Sequence, residues 1–196
     1  MNAGYNIIYA DPPWQYKDKS KSHGGGAESH YPCMSIDEIC ELPVAEMCAD
    51  NCVLFLWVTW PMLYESRKVV EAWGFVYKTC AFMWVKTNKR ANPDQGLFFP
   101  CDSFDDFMGM GRWTRANSEF CLLATKGKPK RVSACVRQII YAPVAAHSAK
   151  PAQTRKRIVE LMGDVPRVEL FARQRAEGWD SWGNEVESDL EIAGRR

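Results

Sequence analysis

Residues 5–14 read Tyr-Asn-Ile-Ile-Tyr-Ala-Asp-Pro-Pro-Trp, an apolar run that stops at an acid, two prolines and a tryptophan. The run Tyr5–Ala10 is too short for a helix and is typical of a buried strand. Two consecutive prolines fix φ and lack N–H donors, so they cannot continue a central strand. Asp11, the nearby carbonyls and Trp14 then offer hydrogen-bond acceptors beside an aromatic wall, which suits a flat base with an exocyclic amine. A strand-ending turn with a packed tryptophan explains the same residues equally well.

Strand and helix patterns alternate along the rest of the chain. The other predicted strands are Cys52–Val58, Thr79–Val85, Phe120–Thr125 and Arg167–Phe171, and the predicted helices are Ser35–Glu41, Pro61–Trp73 and Pro151–Met162. The first helix begins with a capping box formed by Ser35 and Glu38, and each of the others is followed by glycine. This alternation predicts an α/β fold whose mostly parallel sheet carries helices on both faces. Ligands of such sheets bind beyond the carboxyl ends of the strands.

Composition excludes several classes of protein. The chain has 196 residues, of which 46% are hydrophobic, and its 25 basic and 24 acidic residues give a net charge of +1. That length and apolar content predict one folded domain, residues 1–196, rather than a disordered or uniformly basic chain. Nucleic-acid contacts would therefore need local basic patches. The candidates are Lys17, Lys19, Lys21, Lys86, Lys89, Arg90, Lys126, Lys128, Lys130, Arg131 and Arg137. We expect them to line a phosphate groove beside the motif; solvated loops are the alternative.

Eight cysteines and three histidines raise the question of disulfides and metal. We find no export signal before Tyr5 and no apolar run near the roughly 20 residues that cross a bilayer. The tightest cysteine spacing, Cys48 to Cys52, lacks a second ligand pair. The sequence therefore predicts a cytoplasmic protein with free thiols, no bound metal and no membrane segment.

The Asp-Pro-Pro-Trp sequence after an apolar strand is the signature of S-adenosylmethionine-dependent amino-methyltransferases that act on adenine N6. From about Asn6 to about Val186 the chain resembles their MT-A70 family. The other blocks that carry the resemblance are, in order, Tyr31–Ser35, Leu54–Thr59, Trp84–Asn88, Gly109–Arg112, Glu119–Leu122, His147–Pro151, Val168–Arg173 and Trp182–Glu185. The resemblance implies a Rossmann-like methyltransferase fold with permuted motif order, the catalytic motif near the N-terminus and the cofactor strand near the C-terminus.

The resemblance also implies roles for single residues. The catalytic set is Asp11, Pro12, Pro13 and Trp14, in which Asp11 and the Pro12 carbonyl accept hydrogen bonds from the adenine amine. The S-adenosyl-L-methionine set is Asp11, Lys150, Glu169, Phe171, Arg173, Asn184 and Glu185, the last standing where the mRNA enzyme has an amide. The substrate set is Tyr31, Lys86, Asn117 and Glu119. No metal is implied.

These assignments predict an enzyme that methylates N6 of adenine in DNA. The amine is a poor nucleophile, so we expect an SN2-like transfer that depends on alignment and on acceptors for the developing charge. Two alternatives remain open, an RNA adenosine N6-methyltransferase and a catalytically inactive nucleic-acid-binding partner subunit. Because members of the family often work in pairs, a homodimer or a related partner subunit also remains open.

Overall fold

The computed structural model describes residues 4–15, 33–88, 107–109, 111, 113–145 and 149–192. Within them the strands are β1 (Tyr5–Ala10), β2 (Cys48–Val58), β3 (Val76–Thr87), β4 (Ser118–Lys126), β5 (Ile139–Pro143), β6 (Arg167–Leu170) and β7 (Asp180–Trp182). The helices are α1 (Ile36–Cys40), α2 (Val44–Met47), α3 (Ser66–Ala72) and α4 (Gln153–Met162), with a 3₁₀ helix over Trp60–Met62.

The strands form one sheet in the order β5-β3-β4-β2-β1-β6-β7. Parallel pairs join β1 to β2, β1 to β6, β6 to β7 and β3 to β5, whereas β4 pairs antiparallel with β2 and β3. Among the described strands, β4 alone therefore runs against the others. The carboxyl ends of the other six strands and the amino end of β4 lie together at what we call the carboxyl edge; the opposite edge is the amino edge.

Helices cover both faces of this sheet, as the sequence predicted. Strand β2 is buried on both sides, and its alternate residues enter two separate hydrophobic clusters. One cluster, with Leu54 and Leu56, packs under α1 and α3 through Ile39 and Val69. The other lies under α4, and its members include Tyr9, Phe55, Trp57, Trp84, Ile158 and Met162. This two-sided burial explains why β1 and β2 read as continuous apolar runs.

Strand β1 stands where the chain changes direction across the sheet. On one side lie β2 and the strands that follow it, and on the other lie β6 and β7. Helices α1 and α3, which precede β2 and β3, pack on one face, and α4, which precedes β6, packs on the other. In open α/β sheets the crevice at such a switch point is where ligands bind, at the carboxyl ends of the strands. The fold therefore directs attention to the residues that follow β1 and β6.

The helix beginnings agree with the sequence in one case and differ in another. In the capping box of α1, Ser35 Oγ accepts the Glu38 N–H at 3.2 Å and Glu38 Oε2 accepts the Ser35 N–H at 2.8 Å. The predicted helix 61–73 is wrong in its first half. Pro61 lies in the short 3₁₀ helix, and the α-helix begins only at Ser66.

Strands β5 and β7 and helix α2 were absent from the sequence prediction. Strand β7 has three residues, Asp-Ser-Trp, and β5 alternates exposed and buried residues at the sheet's outer position. Strand β5, Ile-Ile-Tyr-Ala-Pro, is apolar in sequence, but only its alternate residues are buried because an edge strand is covered on one side at most. Among the described residues, no helix has the length and hydropathy needed to cross a membrane. In that same part of the chain, no cluster of three His, Cys, Asp or Glu side chains is placed to bind a metal.

Candidate active site

The Asp-Pro-Pro-Trp motif forms a tight turn directly after β1. Pro12 O accepts the Trp14 N–H at 2.9 Å, the spacing of a three-residue γ-turn. Pro13 O accepts the Met34 N–H at 2.8 Å, which ties the motif to the residue before the α1 cap. Neither carbonyl bonds to a strand of the sheet: Pro13 O is taken up by the Met34 N–H, whereas Pro12 O keeps a second lone pair.

Two buried tryptophans, Trp14 and Trp57, anchor the motif in the hydrophobic core. The Trp14 side chain is 4% exposed and lies in the α1–α3 cluster, and its Nε1 donates to the Trp57 carbonyl at 3.0 Å. Trp57 points to the other face, where its Nε1 donates to Tyr9 Oη at 2.7 Å. Each indole N–H thus has a partner, as buried tryptophans require. The motif is anchored to both hydrophobic layers and cannot shift without disturbing them.

Four charged side chains form an alternating chain at the carboxyl edge. Lys150 Nζ lies 2.8 Å from both carboxylate oxygens of Asp11 and 3.2 Å from Glu119 Oε2. Glu119 Oε1 accepts from Lys86 Nζ at 2.6 Å. Trp57 lies beneath the Lys150 ammonium, 5.6 Å from its ring centroid, which adds a cation–π contact. Side-chain exposure is between 11% and 20% for all four groups, so their pairing is the main compensation for burial.

The pKa values of Asp11 and Glu119 shift in opposite directions, because both carboxylates pair with Lys150 but Glu119 also pairs with Lys86. Burial raises the pKa of Asp11, and the negative charge of Glu119 adds to that effect against the opposing ammonium of Lys150. Burial also acts on Glu119, but Lys150 and Lys86 together outweigh it and lower the pKa of that carboxyl. For Lys150, desolvation is outweighed by two carboxylates, which raise its pKa. At neutral pH the ammonium is therefore fully charged.

A second ion pair occupies the neighbouring strand β6. Arg155 of α4 donates Nε to Glu169 Oε2 at 2.5 Å and Nη2 to Glu169 Oε1 at 2.8 Å. Glu169 pairs in register with Tyr9 of β1, two residues before Asp11. Burial raises the pKa of Glu169, Arg155 opposes that shift, and Asp11 adds to it. The negative charge of Asp11 therefore acts on Glu169 across adjacent strands.

The backbone directly after β6 has a residue in the left-handed conformation and a hydrogen bond to β7. Phe171, directly after β6, has φ +62°, a left-handed conformation that costs a residue with a side chain about 1–2 kcal/mol. Its ring packs edge-on against Trp182 with centroids 5.3 Å apart. Such strained positions concentrate where a loop must present itself to a ligand. The Ala172 N–H donates to Trp182 O at 2.9 Å, so the two loops leave the sheet joined.

Gly183 permits this junction, because a Cβ there would lie 2.2 Å from Ala172 O and 2.7 Å from Ala172 N. We expect Gly183→Ala to force the two loops apart, lowering Tm by several degrees and weakening ligand binding at the β6–β7 end. Thermal melting and calorimetric titration with S-adenosyl-L-homocysteine measure both effects. Gly74→Ala is the matched control: its φ is +78° but the nearest atom to a Cβ is 3.8 Å away. Gly74→Ala should lower stability without weakening binding. An equal loss of binding in both variants would contradict a role for the Gly183 junction in shaping the binding site.

Comparison with known proteins fits this geometry. The sequence model of the MT-A70 family matches residues 5–185, from the start of β1 to just past β7. The chain belongs to the MT-A70 family. It is similar to the type II methyltransferase M.MunI of a Mycoplasma species, with 36% identity over 207 residues, 96% of this chain and 81% of that protein.

Other relatives of this MT-A70 chain are longer proteins. It is 29% identical over 184 residues to an Arabidopsis thaliana N(6)-adenosine-methyltransferase MT-A70-like protein, which covers 93% of this chain. It is also 29% identical over 189 residues, again 93% of this chain, to the human N(6)-adenine-specific methyltransferase METTL4. The match spans 24% of the Arabidopsis protein and 37% of METTL4. The whole-protein properties of these two relatives therefore belong to chains with much additional sequence.

The structure brings most of the predicted site residues of this MT-A70 domain to the carboxyl edge. Those placed there by their strand positions are Asp11, Pro12, Pro13, Trp14, Lys86, Asn117, Glu119, Lys150, Glu169, Phe171, Arg173, Asn184 and Glu185. Asn117 takes part through its backbone carbonyl, which accepts the Lys86 N–H at 2.7 Å. Arg173 Nε lies 3.9 Å from Glu185 Oε1. Tyr31 lies outside the described residues.

The predicted phosphate groove is wrong for one of its basic groups. Strand β4 runs antiparallel to its neighbours, so Lys126 at its end lies at the amino edge. Its Nζ donates to the Ala45 carbonyl at 2.9 Å, and the backbone N–H of Lys128 donates to Asn51 Oδ1 at 2.7 Å. Lys130, Arg131 and Arg137 lie in the connection from β4 to β5, whose first residue, Ile139, pairs with Met83 in the second half of β3. Lys86 does lie at the carboxyl edge but is paired with Glu119. Lys17, Lys19, Lys21, Lys89 and Arg90 fall outside the described residues.

Two features of the site were missed or misjudged from the sequence. Arg155 was not singled out, because nothing in a helix predicts which strand residue its side chain will reach. A tryptophan at the end of an apolar run is expected in the core, as Trp57, Trp73 and Trp84 are, yet Trp60 is 44% exposed. Trp60 follows β2 at the carboxyl edge, where its Nε1 donates to Ser118 Oγ at 3.1 Å and its ring packs on Phe120. Its position after Thr59, outside the strand, was the available signal.

Proposed function

We propose that this MT-A70 domain is an S-adenosylmethionine-dependent methyltransferase that acts on N6 of adenine in DNA. The observation that carries the proposal is the position of Asp11. This largely buried carboxylate lies directly after β1, at the topological switch point, and is paired with Lys150, which precedes α4. The relatives support it by name, since M.MunI is a type II methyltransferase and METTL4 is N(6)-adenine-specific.

The motif offers the acceptors that an exocyclic amine needs. Asp11 presents carboxylate oxygens and Pro12 one remaining carbonyl lone pair, so together they can accept both amine hydrogens and fix the direction of the nitrogen lone pair. As positive charge develops on that nitrogen during transfer, the carboxylate stabilises it in a site with little water. The raised pKa of Asp11 also suits it to accept the released proton afterwards. Because β1 is anchored through Trp14 and Tyr9, this geometry is preorganised.

The β6–β7 end fits S-adenosylmethionine in the chemistry of its side chains. Glu169 is a buried carboxylate at the end of a strand beside the switch point, the position at which an acid binds a ribose in dinucleotide folds. Phe171 and Trp182 provide apolar surface next to it, and Asn184 and Arg173 provide polar groups. When bound, the cofactor would supply a methyl group activated by its sulfonium. Lys150 would then contact the end of the cofactor that carries hydrogen-bond acceptors, while it remains paired with Asp11.

The choice of DNA rests on M.MunI, the relative that this chain matches over most of both lengths. The plant relatives are named adenosine methyltransferases, which keeps RNA as the alternative substrate. An inactive partner subunit is less consistent with the intact chain of ion pairs around Asp11, which costs desolvation and has no evident structural necessity. A base inside a duplex must also leave the stack, at a cost of a few kcal/mol.

The direct test offers tritiated S-adenosylmethionine together with matched double-stranded DNA, single-stranded DNA and RNA. We expect label on adenine N6 of DNA and at least about tenfold less on RNA. Digestion to nucleosides and chromatography identify the methylated position. Label on RNA alone would transfer the proposal to the adenosine class. Cofactor binding without transfer to any polymer would indicate a missing partner subunit, and neither binding nor transfer would favour the inactive-partner alternative. Transfer to cytosine would contradict the adenine assignment.

A further inference from the structure

The guanidinium of Arg155 and the carboxylate of Glu169 meet in a two-bond fork. Both bonds are short, 2.5 and 2.8 Å, and the side chains are 15% and 9% exposed. Arg155 lies in the first turn of α4, five residues after Lys150, which pairs with Asp11. The same short segment of chain therefore contacts Asp11 and Glu119 through Lys150 and Glu169 through Arg155.

The fork leaves the carboxylate able to bind something else. A carboxylate has about two lone-pair positions on each oxygen, and a bidentate guanidinium takes one from each. The remaining positions lie in the same plane and point outward on opposite sides of the fork, so each oxygen can still accept from one hydroxyl group. We propose that Arg155 is a positioning residue that fixes the plane of Glu169 so that an outward lone pair of this carboxylate faces a hydroxyl of the cofactor ribose. This inference rests on the proposed function, because it requires a ribose-bearing cofactor at Glu169.

Packing of α4 does not need this ion pair. Ile158 and Met162 of that helix are buried against Tyr9, Phe55 and Trp57 in the core layer. Arg157 separately fastens α4 to the start of β5, since its Nη1 donates to the Arg137 and Ile139 carbonyls at 2.7 Å. A buried ion pair adds little to stability compared with well-packed apolar residues. The fork is therefore better explained by a binding role than by a need for a further attachment.

Charge gives Arg155 a second effect on the same carboxylate. The charged and titratable groups that face Glu169 are Arg155 from α4, Asp11 after β1, and Tyr9 within β1. Arg155 is the one cation among them, and burial and Asp11 both favour the protonated acid. Removing Arg155 should raise the pKa of Glu169 further. Protonation would then remove an acceptor from the ribose hydroxyl, so binding should be lost at a higher pH than in the wild type.

Calorimetric titration with S-adenosyl-L-homocysteine from about pH 8 to about pH 5.5 tests this inference. We expect Arg155→Met to weaken binding by about tenfold at the upper pH and to lose it progressively on acidification, shifted by about one pH unit or more. Arg155→Lys keeps the charge without the fork and should retain the wild-type pH profile at reduced affinity. Lys156→Met, an exposed neighbour on α4, should leave both unchanged.

Each outcome separates the two proposals. If the wild type does not bind S-adenosyl-L-homocysteine, the proposed function fails and this inference fails with it. If the wild type binds and Arg155→Met binds equally well with the same pH profile, the positioning role is refuted while the proposed function stands. If Arg155→Met does not fold, the comparison of Arg155→Lys with the wild type decides: equal affinity at all pH values refutes the role of the fork.

Discussion

Asp11→Asn should abolish methyl transfer, reducing its rate by at least about 10²–10³-fold, the scale on which single preorganised electrostatic groups act. The amide keeps the size of the carboxylate but replaces one acceptor oxygen with an NH₂ donor, which opposes an amine instead of binding it. It also removes the negative charge that stabilises the developing positive charge. Single-turnover transfer from tritiated S-adenosylmethionine to DNA measures the loss directly.

Binding and folding should survive that substitution. The pKa of Asp11 is raised by burial, so at neutral pH its ionised form is less favourable in the folded chain than in the unfolded chain. Losing the charge should therefore cost little stability, and Lys150 retains Glu119 as a partner. Asp50→Asn, exposed on β2 near the amino edge, is the matched control and should be fully active. Wild-type transfer by Asp11→Asn would remove Asp11 from the catalytic role.

The sequence was sufficient for the inner strands because burial on both faces leaves a clear pattern. Strand β1 was predicted with its observed bounds, Tyr5–Ala10, and the capping box was predicted with its two residues, Ser35 and Glu38. The ends of the strands were predicted less accurately. Strand β2 begins at Cys48, four residues before the apolar run, because polar residues continue the strand pairing beyond the core. The outer strands were missed because they are short: β5 has five residues and β7 three.

The site shows the same division between local and long-range information. The motif after β1 and the residues after β6 were predictable, since strand ends at a switch point follow from local patterns and from the family resemblance. The partners of those residues were not. The pairing of Lys86 with Glu119 depends on β3 and β4 being antiparallel neighbours, and the pairing of Arg155 with Glu169 depends on how α4 crosses β6. The misplaced lysines have one cause as well: the direction of β4 cannot be read from its composition.

Lys150→Met should be the most destabilising substitution at the site, by about 3–5 kcal/mol in the free energy of unfolding near neutral pH. It leaves Asp11 facing Glu119 in a site with under one-fifth exposure and without their shared cation. Both carboxyl pKa values should then rise above their unfolded values, which makes the folded state less favourable at high pH. As pH falls through those raised values the carboxyls become neutral and the stability deficit should shrink. Urea unfolding followed by tryptophan fluorescence at about pH 7.5 and about pH 5.5 measures it.

The wild type should show the opposite sign for Glu119. Its pKa is lowered in the folded state, so its contribution to stability is present above the unfolded pKa and is lost as pH falls through the folded one. The raised pKa of Lys150 keeps its own contribution constant through the neutral range. Removing one anion with the cation, in Lys150→Met/Glu119→Gln, should recover much of the loss, whereas exposed Lys78→Met should cause none. A deficit in Lys150→Met that stays constant or grows on acidification would show that packing, and not the unpaired carboxylates, causes the instability.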